Sequence, residues 1–575
     1  MRYPLSMCVL LAVAVLAACA REAPPAPAAA ESAGPADLVL VNGAIYTVDG
    51  ARSWAEAVAI RDGRFVYVGT NDGAAALAGP GTRAVDLGGR MVVPGIHDIH
   101  VHPIGGGVEA MACDLNGLGS LDAYLDKVAD CAREQPEREW ITGGGWLMSV
   151  FGPGGMASRE LLDEIVPDRP VLLTSSDGHS GWANSLALEM AGISAETPDP
   201  PDGIIDREPG STTPLGSLQE GAISLVAAHV PETTTEERLA GLEYAIDMLN
   251  GYGITSIQDA YVFEPDLEAY RTLDERGDLD LRVVASHWWN RKAGTEQIAA
   301  FEALRDRYTR GRVKATTVKI MQDGVMENYT AALLEPYLQK DGKKGIPMVE
   351  PEALKTAVTA LDAAGFQVHF HAIGDAAIRQ SLDAVEAARD ANGGQGLRHH
   401  ISHLQLIDPA DIPRFRELGV VANFQPLWAC PDEYITELTL PFLGPERSRW
   451  LYPIGSVHRA GGIIAFGSDW SVSTANPFPQ IEVATTRSEQ DCGNGEPLLP
   501  EQALALPEAI AAFTIAGAWV NGSEQEAGSI EVGKYADLAV LDRNLFEIPA
   551  GEISETRVLL TLLGGEVVHG DPAAL

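Results

Sequence analysis

Cations are scarce in this 575-residue chain: 41 lysines and arginines stand against 80 aspartates and glutamates, a formal net charge of −39. With no cationic surplus to displace counterions from phosphates, a nucleic-acid-binding role is excluded, and the acidic excess serves mainly a solvated surface. Cysteine is also rare, at six residues. Only Cys113, Cys131, Cys430 and Cys492 fall beyond residue 19, too few to define a disulfide framework. Cys113 and Cys131 are the nearer pair in sequence, and connectivity stays open. A spanning hydrophobic run is missing from the start of the chain, since the apolar stretch Met7 to Ala18 is too short to cross a bilayer. Core-forming residues are plentiful. A 46% hydrophobic chain of this length can build two or more domains, or one barrel with a satellite.

Arg2, the Met7–Ala18 run and Leu16-Ala17-Ala18-Cys19 read as a processing signal, residues 1–18, to be kept out of the fold. Its last four residues resemble a bacterial lipoprotein lipobox. That resemblance implies cleavage before Cys19 and a lipid on its thiol. The mature protein is then anchored to a bacterial membrane and faces an extracytoplasmic, periplasm-type space. An ordinary secretory signal with a coincidental cysteine is the alternative. Removing residues 1–18 deletes Arg2 and moves the formal charge from −39 to −40. Residues 19–36, dominated by Ala and Pro, form a tether that cannot bury enough apolar surface to order itself.

From Asp37 the texture is β-rich: Leu38-Val39-Leu40-Val41, Ala44 to Val48, Ala57 to Ile60 and Phe65 to Val68 alternate with Asn42-Gly43 and Asp62-Gly63, dipeptides suited to hairpins. The same texture returns in Gly528 to Lys534, Ala536 to Leu541, Val558 to Leu563 and Glu566-Val567-Val568. Residues 37–93 and 522–575 are therefore expected to pair into one small β-sandwich built from both chain ends. Between them, over 94–521, strand-like runs such as Ile254–Ile257, Leu281–Val284, Val313–Ile320, Phe366–His371, Val420–Phe424 and Ile463–Phe466 alternate with helical segments. Repeated βα units of this number point to an α/β fold, a distorted (β/α)8 TIM barrel, with catalytic groups at strand C-terminal ends. Residues from about 116 to 225 form a long Gly- and Pro-rich insertion of the kind that builds a pocket or lid.

The chemistry gathers at those strand ends. His100 and His102, in Pro94-Gly95-Ile96-His97-Asp98-Ile99-His100-Val101-His102, follow Met91-Val92-Val93, read as a strand entering a loop. At a spacing of two, both imidazoles reach one face and can hold one metal ion; a solvated His-x-His loop is the plain alternative. Lys319 ends an apolar run before Asp323-Gly324, where a buried amine is costly unless paired or neutral. His371 and His403 close strand-like runs, and Asp469 follows Gly467-Ser468 after another.

Together, PGIHDIHVH, DGHSGWANSLAL, GITSIQDA, VKIMQDG, HFHAIGDAAI, GSDWSV and GSIEVGKYADLAVLD resemble the amidohydrolase superfamily, specifically the YtcJ-like branch of amidohydrolase family 3, over essentially the whole mature chain. The resemblance implies a metal-dependent hydrolase with two divalent ions, zinc in the first instance with iron or manganese as alternatives. His100 and His102 hold one ion, and His371 and His403 the other. Lys319, carboxylated by CO2, bridges them, and Asp469 binds the first ion and serves as general base and acid. His179, in Asp177-Gly178-His179, matches a family position near the substrate and is assigned to carbonyl polarisation or substrate binding. His369, His399 and His400 crowd the ligand positions; His97 and Asp98 are candidate supports for a ligand imidazole, Asp98 the better one. Glu220 either lines the insertion or is solvated. The chain departs from its relatives in carrying Ser402 where many have an acidic residue, and Ser471 where many have proline.

The implied reaction is hydrolysis of a C–N bond, amide or N-acyl, in a small-molecule substrate (EC 3.5). An esterase or lactonase on the same centre, and a non-catalytic surface-binding lipoprotein, are the other readings. Oligomeric state is open, a homodimer included.

Overall fold

The computed structural model describes residues 34–152, 155–488, 492 and 496–575; residues 1–18, read from sequence as a processing signal, and Cys19 lie outside the described residues. Eight parallel strands form the central sheet: β1 (Ile96–Val101), β2 (Ile254–Val262), β3 (Arg282–Trp288), β4 (Val313–Met321), β5 (Gln367–Ala372), β6 (His400–His403), β7 (Val421–Phe424) and β8 (Ile464–Phe466). Each pairs with its neighbour in sequence order. The ring closes just beyond β8, where Asp469 N donates to His100 O (2.7 Å) and His102 N to Trp470 O (2.8 Å). All residues of β1, β5, β6, β7 and β8 are buried, as expected of strands covered on both faces; β7 and β8 are mainly apolar, while β1, β5 and β6 bury histidines among their apolar residues.

Helices form the outer layer. Thr235–Gly251 starts at a capping box, Thr234 with Glu237, and lies against Pro103–Ala110, the helix that begins immediately after His102. The two approach so closely that a Cβ on Gly107 would fall on the Gly241 carbonyl. The pair is closed by glycine alone at that crossing.

Both ends of the chain build the satellite. A four-stranded sheet (Arg64–Gly69, Ala57–Arg61, Leu38–Val41, Arg83–Asp86) faces a six-stranded one in which Met91–Pro94 lies between Leu538–Leu541 and Ala44–Tyr46. Leu38, Val58, Phe65, Val92, Leu538 and Leu560 fill the space between them. Two details differ from the sequence reading. Met91–Pro94 is a satellite strand, and the histidine pair belongs to its own barrel strand, because Gly95 N is taken by Asp537 O (2.9 Å) and the chain changes sheets there. Gly528–Lys534 forms turns in place of a strand; Lys534 N closes on Glu531 O (3.1 Å).

The insertion has its own six-stranded sheet, Gly203–Arg207, Pro214–Glu220, Ser180–Ala183, Val171–Ser175, Ile141–Trp146 and Cys113–Asp114 in spatial order. A Cys113–Cys131 disulfide ties its edge strand to helix Leu121–Glu134, and Cys430–Cys492 is a second disulfide. Strand Pro214–Glu220 of the insertion ends at Glu220, whose side chain meets Thr330 of the loop after β4.

Candidate metal centre

His100 sits in β1 and His102 one residue past its end, and both present Nε2 to one oxygen of Asp469: 3.3 Å from His100 and 3.0 Å from His102. Neither contact is aligned as a hydrogen bond, and Asp469 Oδ1 is buried with no hydrogen-bond partner. Across the ring, His403 Nδ1 lies 3.7 Å from Asp469 Oδ2 and is likewise buried and unbonded. Donor atoms of His100, His403 and Asp469 all fall within 4.8 Å of one another. Orphaned lone pairs converging on a point are costly by themselves and fit a cation held between them. His371 completes the group, its ring 4.4 Å from that of His403 and Nε2 3.4 Å from Gly324 O. His403 and Asp469 have φ of 82° and 57°, left-handed values that non-glycine residues adopt at a cost and that aim both side chains into the mouth.

Lys319 projects from β4 into the same space, 3.2 Å from His100 Nε2 and 3.5 Å from His369 Nε2. Burial lowers its amine to about 7, against a smaller opposing pull from Asp469. Burial also holds His100 at about 3, with the Lys319 charge adding to it, and keeps His371 and His403 well below the usual histidine range. Neutral imidazoles are the form that binds metal. Burial pushes the Asp469 carboxyl up, but the imidazoles around it prevail and hold it ionised.

The supporting residues sort by depth. His369 lies beneath His100, 2.9 Å from its Nδ1, and is 2.7 Å from the Ser402 hydroxyl, which accepts from Asn423 Nδ2 (2.8 Å). Ser402 thus supports the imidazole that lies beneath His100. Asp98 Oδ1 accepts from Ser468 N (2.9 Å) and His100 N (3.2 Å), tying β1 to the segment that carries Asp469. His97 and His400 are buried with neither ring nitrogen bonded, and His399 pairs with Asp362 (3.0 Å), away from the mouth.

His179 reaches the site from the insertion. Its ring is 5.2 Å from that of His371, and Nδ1 is 3.0 Å from both oxygens of Glu220. Burial would depress His179, but the Glu220 carboxylate outweighs it and carries the ring to about 9. Glu220 is buried, which resolves its two sequence readings against a solvated position.

A cavity of about 270 Å³ opens beside these groups, lined by His179, His371, His403 and Asp469 and, farther out, by Trp428 and the Cys430–Cys492 disulfide. Trp428 stacks on His403 with rings 5.5 Å apart and 11° from parallel. Asp177, Glu327 and Asp432 also line it, and no lysine or arginine does among the described residues. Burial raises Glu327 to about 7 and Asp432 to about 6. Sequence reading passed over Asp323 as well. Its carboxylate accepts from the backbone of Ile373 (3.0 Å), Gly374 (2.9 Å) and Ala332 (2.9 Å), fixing the turn that follows His371.

A model of a family described as the amidohydrolase family matches residues 83–569. The protein LONG AFTER FAR-RED 3 of Arabidopsis thaliana is 33% identical, covering 93% of this chain and 92% of its own. The N-substituted formamide deformylase of Arthrobacter pascens is 29% identical over 92% of this chain and 97% of its own. Among solved structures, a metal-dependent hydrolase from Pyrococcus furiosus of uncharacterised activity superposes with a TM-score of 0.68 at 25% identity, covering 88% of this chain and 99% of that one.

Proposed function

The chain belongs to the amidohydrolase family, and from that premise we propose that it hydrolyses an amide or N-acyl C–N bond of a small molecule at a two-ion centre in the barrel mouth. The observation that carries this reading is the convergence of His100, His403 and Asp469, where His403 Nδ1 and Asp469 Oδ1 are buried with no hydrogen-bond partner among the described residues. His100, His102 and Asp469 would hold one divalent ion, His371 and His403 a second, with Lys319 as a carbamate between them. Bound there, such ions lower the pKa of water and polarise a carbonyl. Zinc suits the imidazole and carboxylate donors; iron and manganese accept the same set.

The protein groups divide the remaining work. Asp469, ionised and buried, accepts the proton of the attacking water as the new C–O bond forms. It returns that proton to the leaving nitrogen as the C–N bond breaks. His179, with Nδ1 engaged by Glu220, offers Nε2–H to the carbonyl oxygen as negative charge grows there. Trp428 and the apolar wall exclude water from the far side of the cavity.

The name of the Arthrobacter relative favours N-substituted formamides as first test compounds. Purified protein, assayed for bound metal and for turnover of a formamide, amide, ester and lactone panel with and without chelator, tests the reading. Chelator-sensitive release of amine is expected. Hydrolysis confined to esters and lactones moves the activity to that class, and tight ligand binding with no hydrolysis of any panel member assigns a non-catalytic surface role. Two disulfides fit an oxidising, extracytoplasmic location for a protein lipidated at Cys19. Labelled fatty acid incorporation, abolished in Cys19→Ala, tests the anchor.

A further inference from the structure

Glu220 is the last residue of strand Pro214–Glu220, and its φ of 53° is a left-handed value that a non-glycine side chain adopts only where its surroundings compel it. Three sets of contacts hold it. Glu220 N donates to His179 O (3.0 Å), pairing the two residues across adjacent strands of the insertion. Thr330 Oγ1 donates to Glu220 Oε1 (2.6 Å) from the loop that follows β4. In the same loop Asn328 Nδ2 donates to Gln219 Oε1 (3.0 Å), and Gly324 passes so near that a Cβ there would strike both Glu220 Oε1 and Thr330 Oγ1. The carbonyl of that glycine is the one facing His371.

The consequence for His179 is geometric. Both Glu220 oxygens lie 3.0 Å from Nδ1, so that nitrogen is committed to the carboxylate as a donor. Nε2 has no hydrogen-bond partner among the described residues and belongs to a side chain that lines the cavity beside His371. We infer that Glu220 is a positioning residue: anchored by Thr330 and by the close pass of Gly324, it orients the His179 imidazole so that Nε2 meets the carbonyl oxygen of the substrate. The insertion thereby supplies a carboxylate–imidazole pair to a centre otherwise built from barrel strands. This inference rests on the hydrolytic reading given above.

Zinc-loaded full-length protein and N-benzylformamide provide the test, with N-benzyl methylphosphonamidate as a tetrahedral mimic and benzylamine as the product. In Glu220→Gln, kcat falls by about 10²-fold while KM stays within about threefold, the signature of lost transition-state contact. Phosphonamidate binding weakens by a similar factor, and benzylamine binding holds. Glu220→Asp recovers part of the loss. The double variant His179→Gln/Glu220→Gln is no slower than His179→Gln, because the two residues act as one unit. Zinc content and Tm of Glu220→Gln match the unsubstituted protein. A lower Tm with unchanged kcat makes Glu220 a fold element and overturns the inference, as do losses that multiply in the double variant. If unsubstituted protein turns over no amide, the functional reading falls, and the inference with it.

Discussion

Lys319→Met separates what this lysine does for stability from what it does for function. The side chain is buried with imidazoles for neighbours, and it forms no ion pair among the described residues. Its amine is lowered from 10.5 to about 7, chiefly by burial. Two magnitudes follow. At pH 7.5 roughly three quarters of the amine is neutral, against about one part in a thousand for an ordinary lysine, so the form that reacts with CO2 is enriched by nearly 10³-fold. The same shift is a cost: about 3.5 units at 1.36 kcal/mol each is on the order of 5 kcal/mol of lost stability below pH 7, where the lysine is charged in both states.

The sign is fixed by proton counting. Between pH 7 and 10.5 the unfolded chain binds more protons than the folded one, so the penalty is full below pH 7 and fades as pH rises toward 10.5. Methionine fits a volume close to that of the lysine stem and carries no charge. In chelator and CO2-free buffer near pH 7, Lys319→Met should therefore melt above the unsubstituted protein by calorimetry. With zinc and bicarbonate supplied, it should bind fewer ions and show no turnover, and unsubstituted protein stripped of CO2 should recover activity faster when bicarbonate accompanies the metal. Wild-type turnover in Lys319→Met, or a lower Tm than the parent in chelator, would refute the argument.

Further outcomes follow from other parts of the structure. His287 in β3 is buried, its Nε2 set 3.1 Å from Ala315 O and its ring stacked on Phe301, with burial holding it at about 4. Its folded pKa is depressed, so protons favour the unfolded chain as pH falls; about 3 kcal/mol is lost between pH 6.5 and 4, and acid unfolding of His287→Gln should show a flatter limb. Gly107→Ala drives a methyl into the Gly241 carbonyl and should lower stability by about 1–3 kcal/mol, read as a drop in Tm. Asp177, Glu327 and Asp432 line the cavity with no lysine or arginine beside them among the described residues, and the cationic His179 is engaged by Glu220, so an anionic leaving group is disfavoured. N-formyl-6-aminohexanoate should show a kcat/KM at least about tenfold below that of N-formylhexylamine, one factor of ten being 1.4 kcal/mol of repulsion, and Glu327→Gln should narrow the gap.

The barrel was legible because short β-forming runs alternate with helical segments, several of them closing on a polar residue at the mouth, as at His100 and His371, with Asp469 just past β8. Depth was the harder variable. His369 and His371 share a face of β5, being two residues apart, and parity cannot rank them. They differ by about 6.6 Å along the strand, which puts His369 level with His400 and under His100, and His371 level with Ser402 near the rim. Resemblance to relatives chose His371, and the register explains why that choice is physically distinct. The insertion was illegible for another reason. His179 and Glu220 are 41 residues apart and meet only because Ser180–Ala183 and Pro214–Glu220 pair antiparallel. Thr330, a further 110 residues along, locks the carboxylate from the loop after β4. No local pattern encodes such contacts; a buried acid looks like a solvated one until its partner is in place. The candidate ligands were legible because they close strand-like runs, and His179 was reached through resemblance alone, whereas its pairing with Glu220 was hidden because it depends on contact between distant segments. Glu220 is accordingly the position where a single variant tests the fold and the chemistry together.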